Sequence, residues 1–426
     1  MSITTTASAF RSRGLKSTLG GIAVLATGAL VLAGCAPAEE PEAEPTAIAD
    51  YTMTLGTLLP QTGNLAFLGP PEEAGVGYAA SEVNAYSEET GLTVEVEFGD
   101  SGNTDNKAYE TEAPRILGFD PTAIIGAASS GVSLQFIDQV VADGTILFSP
   151  ANTSDAFTTY DDNGLYFRTA PSDVLQGEVL GNLIAEDGHQ TLGMIVLNDS
   201  YGTGLAKYVT EAFEAAGGEV VAAPTYNTGD TSFDTQISEV LAADPDAIAL
   251  ITFAEISTIL PGLFGQVEPS SLYFVDGNLS NFGDEFPAGS LTGAKGTLPG
   301  LTIDDLGDFT SALDAWVAED GGEALTEYSY AAESFDAVIL LALASLAAGG
   351  ATDGAEVAAK LQEVSGGTGD GEKCSTFADC ADIILSGGTA DYDGISGPIT
   401  FDEVGDPTEA SIGIYVFGED NTYGAL

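Results

Sequence analysis

The side chains that ordinarily do chemistry are few in this chain and poorly placed for it. A single histidine, His189, stands in EDGHQTLGMIV, just before a strand-like run. One imidazole excludes a His-rich zinc site and leaves little room for a Ser-His-Asp constellation. Its position predicts a solvated loop. No GxxxxGK phosphate loop occurs, so nucleotide chemistry of that kind is excluded. GGTGDGEKC, from Gly366, is glycine-rich but follows a predicted helix and reads as a low-complexity turn. The stretch 100–110 imitates a calcium loop. It fails at three points: Gly102 takes the third ligand position, Asp105 the obligatory glycine, and Thr111 the bidentate acid. Asp and Glu together number 65, so paired carboxylates say little for glycosidase chemistry. A hydrolytic enzyme is therefore disfavoured, and no metal or cofactor site emerges. Cys374 and Cys380, in KCSTFADC, lack both CxxC spacing and histidine partners. Outside the cytoplasm such a pair predicts a disulfide closing a small surface loop.

The third cysteine has a different context. Arg11, Arg13 and Lys16 precede an apolar run from Leu19 to Ala33, which ends in LAGC at Cys35. A basic start, a short apolar run and small residues make a secretory signal, 1–34. The ending resembles a bacterial lipobox, in which the thiol of Cys35 receives a diacylglyceryl group. This predicts an extracytoplasmic protein held by lipid on the outer face of the cell membrane. Two acyl chains hold far better than one, at about 0.8 kcal/mol per buried methylene. The following APAEEPEAEPTAIAD, to residue 50, has no apolar periodicity and reads as a disordered acidic tether. Net charge is −55, and no acid precedes Cys35, so loss of the three basic residues there makes the mature chain −58. Nucleic acid and anionic lipid surfaces are disfavoured partners, because binding them needs Lys and Arg. The same charge suggests a saline or cation-rich habitat.

From Tyr51 onward, short apolar strands alternate with amphipathic helices. TMTLGTLLP, LTVEVEF, TAIIGAA and TILFSP are strand candidates, with helices at 71–89, 104–117 and 131–142. This is the pattern of a mainly parallel sheet covered on both faces. The rhythm restarts after Ser172. Helices 173–187, 202–216, 232–243 and 255–266 separate the strands TLGMIVL, EVVAAPTY, DAIALIT and SLYFVDG. Helices 306–319, 329–348 and 354–364 follow, then strand-like GPITFD and SIGIYVF. The apolar run 337–348 is only twelve residues long. A membrane span needs about 20, so it predicts a buried core helix. The fold class is α/β, with two doubly wound parallel-sheet domains.

Ordered motifs across 51–426 resemble the branched-chain-amino-acid-type substrate-binding proteins of ABC transporters, the type I periplasmic binding fold. They are LLPQTGNLAFLG, IIGAASSGVS, ILFSPANTSDAF, YFRTAPSD, VLNDSYGTGLAK, YFVDGNLSN, ESFDAVILLA and GPITFDEVGD. The resemblance implies two domains, 51–172 plus 302–412 and 173–301 plus 413–426, joined by three crossings near Ser172, Thr302 and Gly413. It implies a small-molecule ligand, an amino acid or analogue, captured by hinge closure and delivered by a monomer to ABC permease subunits. Ser130 matches the family serine that meets the ligand carboxylate, at a strand-to-helix junction suited to an anion. Ala151 and Thr153 match residues meeting the ammonium and carboxylate. Tyr201 and Phe253 fall at aromatic positions of the second domain, and Asp276 at the acid that pairs with the ammonium. Two departures stand out. The family often has Glu where Asp276 stands, and Tyr where Phe67 and Leu68 stand, so the pocket is reshaped. Small amides or urea are alternative ligands, and a ligand-sensing receptor is an alternative role.

Overall fold

The computed structural model describes residues 49–369 and 371–426. The signal sequence, Cys35 and nearly all of the tether lie outside the described residues. The first sheet is parallel, in the order Leu92–Glu97, Tyr51–Leu58, Ala123–Gly126, Ile146–Ser149, Tyr166–Arg168. Ala123–Gly126 and Ile146–Ser149 are buried along their whole length, because helices cover both faces of a sheet wound this way. Helix Ala331–Ala347 packs against Gly69–Ala85 in the same core. All but one of its residues are buried, the mark of a helix that is apolar all round. No helix among the described residues is long and apolar enough to cross a membrane.

The second sheet runs Tyr423–Ala425, Ile412–Phe417, Lys295–Pro299, Leu272–Phe274, Ala247–Ile251, Thr191–Leu197, Glu219–Ala222. Its two C-terminal strands run antiparallel, so the chain returns to this sheet last and closes its edge. Each sheet anchors its own apolar core. Among the described residues the chain passes between the sheets at 169–172, 300–306 and 409–411.

Several local expectations change. The helix expected from 104 starts at Tyr109, because Asn103 and Asn106 side chains bond the backbone of a preceding turn in which Lys107 has φ of 55°. EVVAAPTY divides into Glu219–Ala222 and Thr225–Tyr226. Pro224 has no N–H to continue a ladder, and only its carbonyl pairs, with the Val196 amide. GPITFD makes isolated bridges rather than a strand. His189 is half-buried and stands edge-on to Tyr273, with ring centroids 5.8 Å apart. The Cys374 and Cys380 sulfurs lie at bonding distance, 2.09 Å, and close a short segment in which Ser375, Thr376 and Asp379 are exposed, while the sulfurs themselves point inward. Cys380 shares the inward face of helix Phe377–Leu385 with Phe377 and Ala381, and both sulfurs belong to the first core.

Candidate functional site

Residues just past the carboxyl ends of strands from both sheets converge on one small cavity, the place where open α/β sheets bind ligands. It is lined by Leu65, Leu68, Ala128, Ser129, Ser130 and Ala151 from the first lobe, and by Tyr201, Phe253, Asp276 and Gly277 from the second. Tyr330, preceding helix Ala331–Ala347, completes it. The sequence-predicted Leu68, Ser130, Ala151, Tyr201, Phe253 and Asp276 thus meet at one point. Thr153 is fully buried but set behind the lining, where its carbonyl accepts the Asp173 amide at 2.7 Å. Phe67 is half-buried against the second core and off the cavity, and Leu65 takes the place beside Leu68.

The first-lobe side is shaped by backbone. Ser129 caps helix Ser130–Asp143, its Oγ accepting the Val132 amide at 3.3 Å. That leaves Ser130 in the first turn, where unpaired N–H groups and the helix dipole favour an anion. Gly126 makes the turn possible. Its φ is 126°, and a Cβ there would stand 2.1 Å from the Leu58 carbonyl oxygen. The loop 151–154 is held from beneath. Asn152 Nδ2 donates to the carbonyls of Ala127 and Ala128, each at 2.9 Å. Arg168, fully buried, donates to the carbonyls of Asn152 and Ser154 at 3.2 and 2.8 Å. Its other side grips Asp406 through two bonds of 2.6 and 2.8 Å.

The second-lobe side is built on Asp276. Its Oδ1 accepts Tyr201 Oη at 2.7 Å and Gln176 Nε2 at 2.9 Å, and its Oδ2 accepts Tyr330 Oη at 2.7 Å. All three donors are neutral, and no basic side chain lines the cavity. Burial pushes the Asp276 acid upward, while Tyr201, Tyr330 and Gln176 hold it down. Asp173, also fully buried, is pushed well above the carboxylate range by burial and then by the charge of Asp276. The Thr153 hydroxyl stands near it without hydrogen-bond geometry. The pole around Asp276 is thus electronegative and short of a cation. Tyr201 and Phe253 stack, with centroids 5.3 Å apart, and form an aromatic wall.

Tyr330, Gln176, Leu65 and Asp173 were not singled out from sequence. Gln176 left a readable trace: with Asp173 and Leu180 it makes a stripe on helix Asp173–Glu186 whose polar members are buried. Tyr330 left only its place before a long apolar helix. Its φ of 62° is costly for a bulky residue, and such backbone strain collects at functional sites.

The lobes are closed over this cavity. Tyr330 reaches Asp276 from the other lobe. Asn64 accepts the Ala254 amide at 3.1 Å and donates to Glu255 at 2.8 Å. Ser154 Oγ donates to the Ser200 carbonyl, and Tyr208 Oη to Asp155. The space open to a water centre is about 10 Å³, near the minimum for one water. Entry of any larger molecule requires the lobes to part. A larger concavity of about 370 Å³, along 263–272, brings no charged groups together beyond Glu268.

A model of the periplasmic binding protein family matches residues 52–377. A chemotactic signal transduction system substrate-binding protein, BasB of Halobacterium salinarum, is 26% identical, over 82% of this chain and 84% of its own. A Leu/Ile/Val-binding protein homologue of Brucella melitensis is 23% identical, over 87% and 93%. Among solved structures, the branched-chain amino acid transporter substrate-binding protein LivJ of Streptococcus pneumoniae, in complex with isoleucine, superposes with a TM-score of 0.67 at 22% identity, covering 88% of this chain and 99% of its own. With the sheet order and the inter-sheet cavity, these matches show that the chain belongs to the periplasmic binding protein family and has the type I fold.

Proposed function

We propose that the chain is an extracytoplasmic lipoprotein, anchored through Cys35, that captures a zwitterionic amino acid between its lobes and delivers it to an ABC permease. One observation carries the choice of ligand. Asp276 is buried among neutral donors, with no protein cation beside it, and faces a helix N-terminus across the same cavity. A buried carboxylate is costly without a positive partner, and a ligand ammonium supplies one. The helix end with Ser129 and Ser130 suits the ligand carboxylate. Leu65, Leu68, Phe253 and Tyr330 leave an apolar surface for the side chain, which favours leucine, isoleucine or valine. Ser130 and Ala151 are the first-lobe contacts in this reading, with Thr153 behind them; Leu68, Tyr201 and Phe253 complete the enclosure. The Cys374–Cys380 disulfide braces the first core in an oxidising compartment.

The name of the Halobacterium relative supports a second reading, a sensing receptor in which the closed form is read by a signalling partner. Both readings share the same ligand chemistry. Titration calorimetry against leucine, isoleucine, valine, small amides and urea is the test. We expect saturable binding of amino acids only, with a loss of at least about 100-fold in Asp276→Ala, the scale of a charge-assisted buried bond. Tight binding of ligands without an ammonium group, unchanged in Asp276→Ala, would overturn the proposal.

A further inference from the structure

A second cavity, of about 210 Å³, lies where the three inter-sheet crossings run together. Thr169 and Pro171 come from the first crossing, Gly300 from the second, and Glu409 to Ser411 from the third. The second and third are tied by the Gly300 amide to the Ser411 carbonyl at 2.9 Å. Glu333, on helix Ala331–Ala347, enters between them. It is only 4% exposed, and its carboxylate accepts no hydrogen bond from another residue. It presses on the second crossing so closely that a Cβ on Gly300 would stand 2.3 Å from its Oε1.

The charges around Glu333 all have one sign. Glu72, on helix Gly69–Ala85, is fully buried behind it and also has no partner. Asp336 is on the same helix, Tyr330 at its start, and Tyr415 on strand Ile412–Phe417. Glu409 stands at the rim. No Lys, Arg or His lines the cavity. Arg168, beside the first crossing, is committed to Asp406. Among the described residues no three His, Cys, Asp or Glu side chains converge as metal ligands. One deeply buried carboxylate with nearby hydroxyls of Thr169, Ser396 and Ser411 is too poor a donor set for a divalent ion, which demands more anionic oxygens.

We propose that this hinge cavity is a second binding site, for a small monovalent cation, that holds the crossings in the closed arrangement. The proton is its competitor at Glu333. Burial raises that acid from 4.5 to about 8. The sign follows from linkage: the folded state holds the proton more tightly than the unfolded state, so stability falls as pH rises from about 4.5 to about 8. Above that window the ionised carboxylate needs a counter-ion, and a small cation can restore what the proton no longer provides.

The experiment is a thermal melt of the full-length protein at fixed, high ionic strength in sodium, potassium or choline chloride, at about pH 6 and about pH 9.5. At the higher pH, sodium or potassium should raise the melting temperature over choline by about 3 °C or more. At the lower pH the three salts should be equivalent. Glu333→Gln should abolish the cation selectivity, whereas Glu88→Gln, an exposed acid, should leave it intact. Equal melting in all three salts at high pH, or selectivity unchanged in Glu333→Gln, would overturn the site. If Glu333→Gln does not fold, the pH contrast in the wild type decides alone. Selectivity of equal size at both pH values counts against the proposal.

Discussion

Asp276 accepts two donors from its own lobe and a third, Tyr330, from the other. The Tyr330 hydroxyl therefore belongs to the closed form alone. Its removal in Tyr330→Phe keeps the ring and its packing. We expect ligand affinity to fall about tenfold, since a hydrogen bond to a charged group contributes about 1.5–3 kcal/mol. Urea-melt stability of the ligand-free protein should change by less. Calorimetry and denaturation on the same sample separate the two, and an unchanged affinity would remove the latch. Asp276 could be singled out in the sequence because VDGN resembles the family's motif and places it at the acid that pairs with the ligand ammonium. Tyr330 could not, because its partner is 54 residues away and its inward aim depends on a left-handed backbone angle that no motif announces.

At the scale of elements, strands and helices were the more legible part. Buried runs such as Ala247–Ile251 and the apolar helix Ala331–Ala347 declare themselves by composition. Boundaries shifted where side chains compete for the backbone, as Asn103 and Asn106 do before Tyr109. What composition does not show is how one element holds another. Strand Tyr166–Arg168 ends in a buried guanidinium that joins the loop 151–154 to Asp406, 238 residues along the chain. Asp406→Ala leaves that charge buried and uncompensated. We predict a destabilisation of about 3–5 kcal/mol in chemical denaturation, accompanied by weaker ligand binding because the carbonyls of Asn152 and Ser154 lose their anchor. A stability loss below about 1 kcal/mol would mean that water replaces the pair.

Across the whole molecule, 65 acids face ten bases, and the few cations are largely spent on local pairs such as Lys295 with Asp187. Self-repulsion of this size opposes compaction and is screened by salt. The melting temperature should rise by about 10 °C between low and molar sodium chloride. A fall over that range would exclude a charge-limited fold. Choline at equal ionic strength should supply most of this general effect, which separates it from the hinge cavity. The two-sheet plan was visible in the restarting αβ rhythm, yet the antiparallel return of Ile412–Phe417 was not, since strand direction leaves no mark on composition. The hydroxyl of Tyr330 has one more consequence at this scale. Because it is one of the contacts that join the lobes without solute, it raises a background frequency of closure that owes nothing to solute. A higher background tightens apparent affinity, since less of the binding energy is needed to shift the population. It also narrows the contrast between loaded and unloaded protein for any partner that reads shape, so sensitivity and signal-to-noise are coupled through one phenol.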